Sequence, residues 1–131
     1  MVAATGASGA CLALRFLGHL LAHHGVARVH LVTSEAFKLV LLREEGQDLE
    51  SALKALPNRA KLVVYAESQL DACVASGSFP VGGTVVIPAS MSTVGTLAAG
   101  AGRNLCHRIA EVALKEGRPL GLGVRSSVLV T

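Results

Sequence analysis

The chain has very few aromatic residues and no tryptophan. Its 131 residues include one Tyr and three Phe, whereas 51% of the residues are hydrophobic. The core must therefore be built from Val, Leu and Ala, and side chains on which nucleic-acid bases could stack are nearly absent. The net charge of +3 is not concentrated in a Lys/Arg cluster either. These two absences argue against nucleic acid as a partner.

Cysteine is scarce as well. Cys11, Cys73 and Cys106 are odd in number, far apart and form no CxxC pair. This pattern argues against a disulfide framework and predicts three reduced, buried thiols in a cytoplasmic protein. His19 and His23 stand four residues apart, but no third ligand is near them in the sequence. We therefore predict no metal site.

Charged residues are missing from one long stretch of the chain. Residues 72–102 contain none, and this length could span a bilayer. Gly, Pro and Ser residues break the stretch into short pieces, as expected of a buried strand between two polar loops. The N-terminus lacks the charged-then-apolar pattern of a signal peptide. We therefore predict no membrane span and a cytoplasmic location.

Short apolar runs alternate with helical patterns along the chain. Strands are predicted at residues 1–4, 28–33, 61–65, 84–87 and 120–124, the fourth of them closed by Pro88. Helices are predicted at residues 10–24, 34–42, 48–56 and 104–116, with a further short one that follows a polar turn at 90–93 and ends at 99. Residues 67–78 are predicted as an irregular connection. The alternation implies right-handed βαβ crossovers and one α/β domain over residues 1–131, a three-layer α/β/α fold with an open, Rossmann-like parallel sheet.

Four polar turns fall at the predicted carboxyl ends of strands, where open parallel sheets bind ligands. They offer backbone amides, hydroxyls and one guanidinium, and all of these groups suit an anion. The phosphate cradle, as we name this set, comprises Gly6, Ala7, Ser8, Ser34, Ser90, Met91, Ser92, Thr93 and Arg125. The GASG sequence at residues 6–9 departs from GxGxxG, and alone it predicts an ordinary strand-to-helix turn as readily as a binding loop.

Three charged residues outside the cradle are further candidates. Glu44 lies one helix length from the cradle and could accept or donate a proton, although the residues alone favour a solvated helix end. Arg108 and Lys115 lie on the predicted helix at 104–116. A polar face or a subunit contact is the simpler interpretation of Arg108, and complementation of the helix dipole that of Lys115.

A set of motifs covers nearly the whole chain in a fixed order. It consists of TGASGA at residues 5–10, ASGS at 75–78, PASMST at 88–93, Gly100, NL at 104–105, Arg108, VALKE at 112–116 and RPL at 118–120. Together these motifs resemble the UbiX family of flavin prenyltransferases. That family carries the older name 3-octaprenyl-4-hydroxybenzoate carboxy-lyase and is associated with ubiquinone biosynthesis.

The resemblance implies a cofactor, a reaction and partners. The cofactor would be FMN, held by the phosphate cradle, and a dimethylallyl group would pass from dimethylallyl phosphate to reduced FMN without a metal. The product would serve a UbiD-type decarboxylase. Glu44 and Ser8 would be catalytic, Glu44 as an acid/base. Arg108 and Lys115 would lie near the donor phosphate, in a pocket completed by neighbouring subunits of a homo-oligomer, a trimer or a multiple of it such as the family's dodecamer.

The chain departs from the family pattern near its end. The family carries a Glu after the Arg that matches Arg125, whereas this chain has Ser126. The Tyr, Lys and Arg with which the family holds the prenyl phosphate further along have no counterpart in this sequence. We therefore expect a truncated or frameshifted product in which FMN binding survives better than prenyl transfer. Two alternatives stay open: a phosphopantothenoylcysteine decarboxylase-like flavoprotein and a catalytically impaired flavin-binding protein.

Overall fold

The computed structural model describes residues 1–125. Ser126, where the sequence departs from the family pattern, therefore lies outside the described residues. Within them, one parallel sheet has the strand order β3-β2-β1-β4-β5. The strands are β1 (Val2–Ala4), β2 (Val29–Thr33), β3 (Leu62–Ala66), β4 (Thr84–Ala89) and β5 (Leu120–Val124). The helices are α1 (Ala10–Ala22), α2 (Glu35–Glu45), α3 (Leu49–Lys54), α4 (Met91–Ala99) and α5 (Leu105–Lys115). The predicted α/β fold with an open parallel sheet is confirmed.

Two hydrophobic clusters, one on each face of the sheet, form the core. The first packs α1, α2 and α3 against β1 and β2, and it includes Leu17, Leu31 and Phe37. The second packs α4 and α5 against β1 and β4, and it includes Val86 and Ile109. Phe37 is the one aromatic side chain among the buried residues of these two described clusters. The aliphatic core predicted from the composition is therefore found on both faces.

The cysteines do not all lie in this core. Cys106 is buried, and desolvation is the main cause that raises its pKa to about 12. Cys11 and Cys73 are exposed, so the prediction of three buried thiols was wrong for these two. Cys11 follows the buried Ala10 but faces outward from α1, and Cys73 begins a 3₁₀ turn whose other two residues face the core.

The segment around Pro88 also differs from its prediction. Strand β4 does not stop before Pro88 but continues to Ala89, because its pairing with β5 is irregular between Val86 and Ala89 and tolerates a residue without an N–H. The polar turn predicted at residues 90–93 is the start of α4, and Ser90 is its N-cap. The uncharged stretch thus contains β4 and α4. No helix within residues 1–125 is both long enough and apolar enough to cross a membrane.

Candidate functional site

The order of the strands creates a crevice at the carboxyl edge of the sheet. Strands β1 and β4 are neighbours in space, although β2 and β3 separate them in the sequence. The chain therefore places β2 and β3 on one side of β1 within the sheet, and then β4 and β5 on the other side of β1. The loops after β1 and β4 diverge at this point, and open α/β sheets bind ligands there.

Backbone hydrogen bonds hold the segments of the phosphate cradle together at this edge. Ser34 N donates to Ala4 O at 3.1 Å, which joins the end of β2 to the end of β1. Thr5 N donates to Pro88 O at 3.3 Å, and Arg125 N donates to Ala89 O at 2.9 Å. These bonds bring the ends of β1, β2, β4 and β5 to one place, so the four turns singled out in the sequence lie together.

The carboxylate of Glu44 lies at the N-terminus of α1. Its Oε1 accepts from Gly9 N at 3.0 Å and from Ala10 N at 3.2 Å, and its Oε2 accepts from Ser8 Oγ at 2.9 Å. The Gly9 amide, then Ser8 and the Ala10 amide, lower the pKa of Glu44 below its usual value, and the charge of Arg125 adds a smaller effect. Glu44 is therefore ionised near neutral pH, and in this state it can accept a proton but has none to donate.

Two glycines give the loop after β1 its shape. A Cβ atom at Gly6 would collide with the Cβ of Ala36 on α2. Gly9 has a φ of +104°, a backbone conformation that side-chain-bearing residues rarely adopt. The loop consequently packs tightly on α2, while the amides of Gly9 and Ala10 point at the carboxylate of Glu44. Helix N-termini suit phosphate groups, so the loop before α1 and the start of α2 fit a phosphorylated ligand, although Glu44 occupies the amides of Gly9 and Ala10.

Two hydroxyl groups of the cradle stabilise the first turns of helices. Ser34 Oγ accepts from Phe37 N at 2.9 Å, and Ser90 Oγ accepts from Thr93 N at 3.1 Å. Both serines are therefore N-caps, of α2 and α4 respectively. Beside Ser34, the buried Thr33 Oγ1 has no hydrogen-bond partner in the described part of the chain. Buried polar groups are rarely left unpaired, so the unpaired hydroxyl of Thr33 is an unusual feature of the carboxyl end of β2.

The remaining cradle residues differ in exposure. Ala7 is buried, whereas Met91 and Ser92 are exposed in the first turn of α4. Arg125 is exposed, and its Cδ lies 3.9 Å from the position that a Cβ of Gly9 would take. The guanidinium group of Arg125 thus belongs to a side chain that passes beside the start of α1, near the carboxylate of Glu44.

Arg108 and Lys115 lie elsewhere. They are about two turns apart on α5, on the other face of the sheet from α1 and α2. Together with residues 75–77 they line the α5 groove, a cavity of about 480 Å³ in which none of the cradle residues takes part. Arg108 Nε donates only weakly to Ala75 O, at 3.5 Å. Within residues 1–125 of one chain, these two cations do not come together with Ser8 and Glu44.

Sequence reasoning missed Glu67, the residue directly after β3. Its carboxylate accepts from Glu35 N at 3.2 Å and from Asn104 Nδ2 at 3.1 Å. A charged side chain at the carboxyl end of a strand is the one signal that could have indicated it.

A cavity larger than the α5 groove lies at the opposite, amino edge of the sheet. It has a volume of about 790 Å³ and is lined mainly by apolar side chains, among them Phe16, Leu20 and Val81. The helices of a parallel sheet begin at the carboxyl edge, so this cavity lacks the helix N-termini that attract phosphate. Residues 1–125 contain no group of three or more His, Cys, Asp or Glu side chains that could hold a metal ion.

Comparison with known proteins points to one family. Residues 1–126 match the model of the Flavoprotein family. The flavin prenyltransferase UbiX of Chlamydia pneumoniae is 36% identical over 132 residues, which cover 100% of this chain and 67% of that protein. A dodecameric FMN-dependent UbiX-like decarboxylase from Escherichia coli O157:H7 superposes with a TM-score of 0.86 at 34% identity, over 99% of this chain and 67% of that one.

A third relative was solved with ligands. AnUbiX, in complex with FMN and dimethylallyl pyrophosphate, superposes with a TM-score of 0.83 at 31% identity, over 98% of this chain and 65% of that one. The chain spans about two thirds of the length of these relatives. The matched region includes every residue of the phosphate cradle. The chain belongs to the flavoprotein family and, within it, to the UbiX-type proteins.

Proposed function

We propose that this chain binds FMN in the phosphate cradle and transfers a dimethylallyl group from dimethylallyl phosphate to reduced FMN. The observation that carries the proposal is the arrangement at the crevice between β1 and β4, where Ser8, Glu44 and Arg125 meet at the start of α1. The product serves UbiD-type decarboxylases. The name of the Chlamydia relative and the ligands of AnUbiX support this reaction.

The residues of the cradle suit the two ends of FMN. Gly6, Ala7 and Ser8 lie in the loop that leads into α1, and Ser34 is the N-cap of α2, so these four residues would hold the phosphate. The cradle residues that follow β4 and β5 would hold the rest of the molecule across the crevice; they are Ser90, Met91, Ser92, Thr93 and Arg125. When bound, reduced FMN supplies the electron-rich ring that receives the dimethylallyl group.

Glu44 acts as a general base in this proposal. It is ionised and can therefore accept a proton, and three hydrogen bonds fix the position of its carboxylate. Ser8 donates one of those bonds and orients the carboxylate. Arg125 places a positive charge at the same end of α1, and this charge favours the ionised form of Glu44.

The donor phosphate is held by cations from a second chain. Loss of phosphate from an allylic carbon requires stabilisation of the departing anion. Arg108 and Lys115 offer two positive charges, but they lie in the α5 groove and not in the cradle of their own chain. A neighbouring copy that places its α5 groove beside the cradle would complete the site.

Exposed apolar side chains support an assembly of several copies. Leu39, Leu42, Met91 and Leu114 are each between 48% and 59% exposed on α2, α4 and α5. A closed homo-oligomer, a trimer or a multiple of it such as a dodecamer, would cover such surface. Light scattering at micromolar concentration tests this, and a purely monomeric protein would contradict it.

The reaction is tested by mass analysis of the flavin after anaerobic incubation with reduced FMN and dimethylallyl phosphate. We expect a flavin whose mass has risen by one dimethylallyl group. Glu44→Gln should bind FMN but lose most of this product, whereas Glu45→Gln, an exposed neighbour on α2, should retain it. Bound but unmodified flavin in the wild-type reaction would favour a catalytically impaired flavin-binding protein, and absence of FMN binding would refute the proposal altogether.

A further inference from the structure

Glu67 connects two helices that lie on opposite faces of the sheet. Its Oε1 accepts from the backbone N of Glu35, the first residue of α2. Its Oε2 accepts from the side-chain amide of Asn104, the N-cap of α5. Its backbone carbonyl accepts from Leu105 N at 2.8 Å. One residue at the end of β3 thus bonds to the N-termini of both helices.

In each of these hydrogen bonds Glu67 is the acceptor and the helix N-terminus supplies the donor. The first amides of a helix have no partner within the helix and carry partial positive charge, so an ionised carboxylate is favoured there. Asn104 uses its Oδ1 to accept from His107 N at 2.9 Å, which leaves only its Nδ2 to face Glu67. The orientation of the Asn104 amide is therefore fixed by the helix that it caps, and Glu67 must present an acceptor to it.

The two helices carry the residues to which we assign function. Ser34, which belongs to the cradle, directly precedes Glu35, and Glu44 lies at the far end of the same helix. Arg108 lies one turn after Asn104 on α5. A shift of either helix N-terminus would move these side chains, and small displacements of catalytic groups reduce rates and affinities strongly.

We propose that Glu67 is a positioning residue of the flavin site, which holds the start of α2 against the start of α5 and so sets the geometry of the cradle. This inference rests on the proposed function. It assigns no contact between Glu67 and a ligand: Glu67 acts through Ser34 and Glu44.

A reciprocal exchange of hydrogen-bonding groups tests this role. In Glu67→Gln the Oε1 can still accept from Glu35 N, but the new Nε2 faces Asn104 Nδ2, donor against donor. In Asn104→Asp two carboxylates face each other. In the double variant, the introduced glutamine amide would donate to one oxygen of the introduced aspartate, and the other oxygen would accept from His107 N, so every bond is restored. Aspartate is also a good N-cap, so α5 keeps its first turn.

The measurement is the FMN dissociation constant from flavin fluorescence, together with Tm and amide hydrogen exchange at Glu35 without FMN. We expect each single variant to weaken FMN binding roughly tenfold and to speed exchange at Glu35, since a charge-assisted hydrogen bond is lost. The double variant should return to within about twofold of the wild type. Glu50→Gln, which removes an equally negative but exposed side chain on α3, should leave FMN binding unchanged.

The outcomes separate the two levels of the proposal. A wild-type protein that does not bind FMN refutes the proposed function and, with it, a flavin-site role for Glu67. A wild type that binds FMN while the single variants lower only Tm shows that Glu67 merely stabilises the fold and overturns the inference alone. A double variant that binds FMN no better than the single variants also overturns it, because the paired bonds would then not set the site.

Discussion

The phosphate cradle and the α5 groove differ in whether their polar and charged groups already have partners within the chain. At the cradle, the donors of Ser8 and of the adjoining Gly9 and Ala10 already have an acceptor, which is the carboxylate of Glu44 from the same chain. In the groove, Arg108 and Lys115 form no ion pair within residues 1–125. One region is complete as a hydrogen-bonded unit, whereas the other is lined by two cations and by Glu111, with no ion pair among them in the described residues.

This difference separates what the two regions contribute. Groups fixed by hydrogen bonds and close packing are preorganised, so the loop that carries them does not have to be ordered when a ligand binds. Exposed lysine and arginine side chains retain rotamer freedom and are ordered only when a ligand or a second chain binds them. Substitutions in the cradle should therefore affect folding and FMN binding, whereas substitutions in the groove should affect only the use of the prenyl donor.

The largest effect is expected in the groove, on turnover. Arg108→Gln and Lys115→Gln should each lower kcat/KM for dimethylallyl phosphate by roughly 10–100-fold, because each removes a charge-assisted hydrogen bond of about 1.5–3 kcal/mol. The free energy of unfolding should change by less than about 0.5 kcal/mol, as for other exposed positions. Steady-state kinetics with reduced FMN and urea denaturation measure the two quantities.

The control for lost charge is Lys54→Gln, which removes an exposed cation on α3. Its kcat/KM should match that of the wild type. If the groove variants instead lost FMN affinity to the same extent as turnover, the division between the two regions would be wrong.

The next effect is expected in the cradle, on packing. Gly6→Ala places a Cβ against Ala36, and relief of that clash must separate the loop from α2. We expect the free energy of unfolding to fall by about 1–3 kcal/mol, typical of overpacked sites, and FMN binding to weaken as well. Gly82→Ala is the matched control, since a Cβ there would meet nothing within 4 Å. Equal behaviour of the two variants would show that the loop is not packed as described.

Strand and helix patterns predicted most of this fold because their causes are local. Apolar runs identify β2 and β4, and a serine at the start of the helix predicted at 34–42 is typical of an N-cap, which is the role of Ser34 in the structure. The end of β4 was misjudged because Pro88 was taken to stop the strand. The strand tolerates Pro88 because its pairing with β5 is irregular at this point. This is a feature of tertiary structure that no local pattern reveals.

The site could be predicted only where strand ends determine it. The turns after β1, β2 and β4 converge because the carboxyl ends of parallel strands lie on one edge. The contact between Glu44 and Ser8 depends on how α2 lies beside α1, so the residues alone favoured a solvated helix end. Glu67 was missed for the same reason, since its partners Glu35 and Asn104 lie 32 and 37 residues away.

The smallest effect is expected from the pH dependence of Glu44, and it tests whether the cradle is stabilised by its internal anion. The pKa of Glu44 is lowered in the folded protein, first by the Gly9 amide. A group of this kind adds stability at pH values above its unfolded pKa, and that stability is lost as the pH falls through the lower, folded pKa. Wild type should thus be more stable than Glu44→Gln at pH 7, and the difference should vanish in strong acid.

Urea denaturation at a series of pH values from about 7 to below about 3 measures that difference, with Glu45→Gln as the control. Because Glu44 is exposed to solvent, water and salt screen its interactions, so the difference should be small and should shrink as salt is added. A difference that grew as the pH fell would require a raised pKa for Glu44. The carboxylate would then repel its surroundings in the folded chain, and the three donors at the start of α1 would not be its partners in solution.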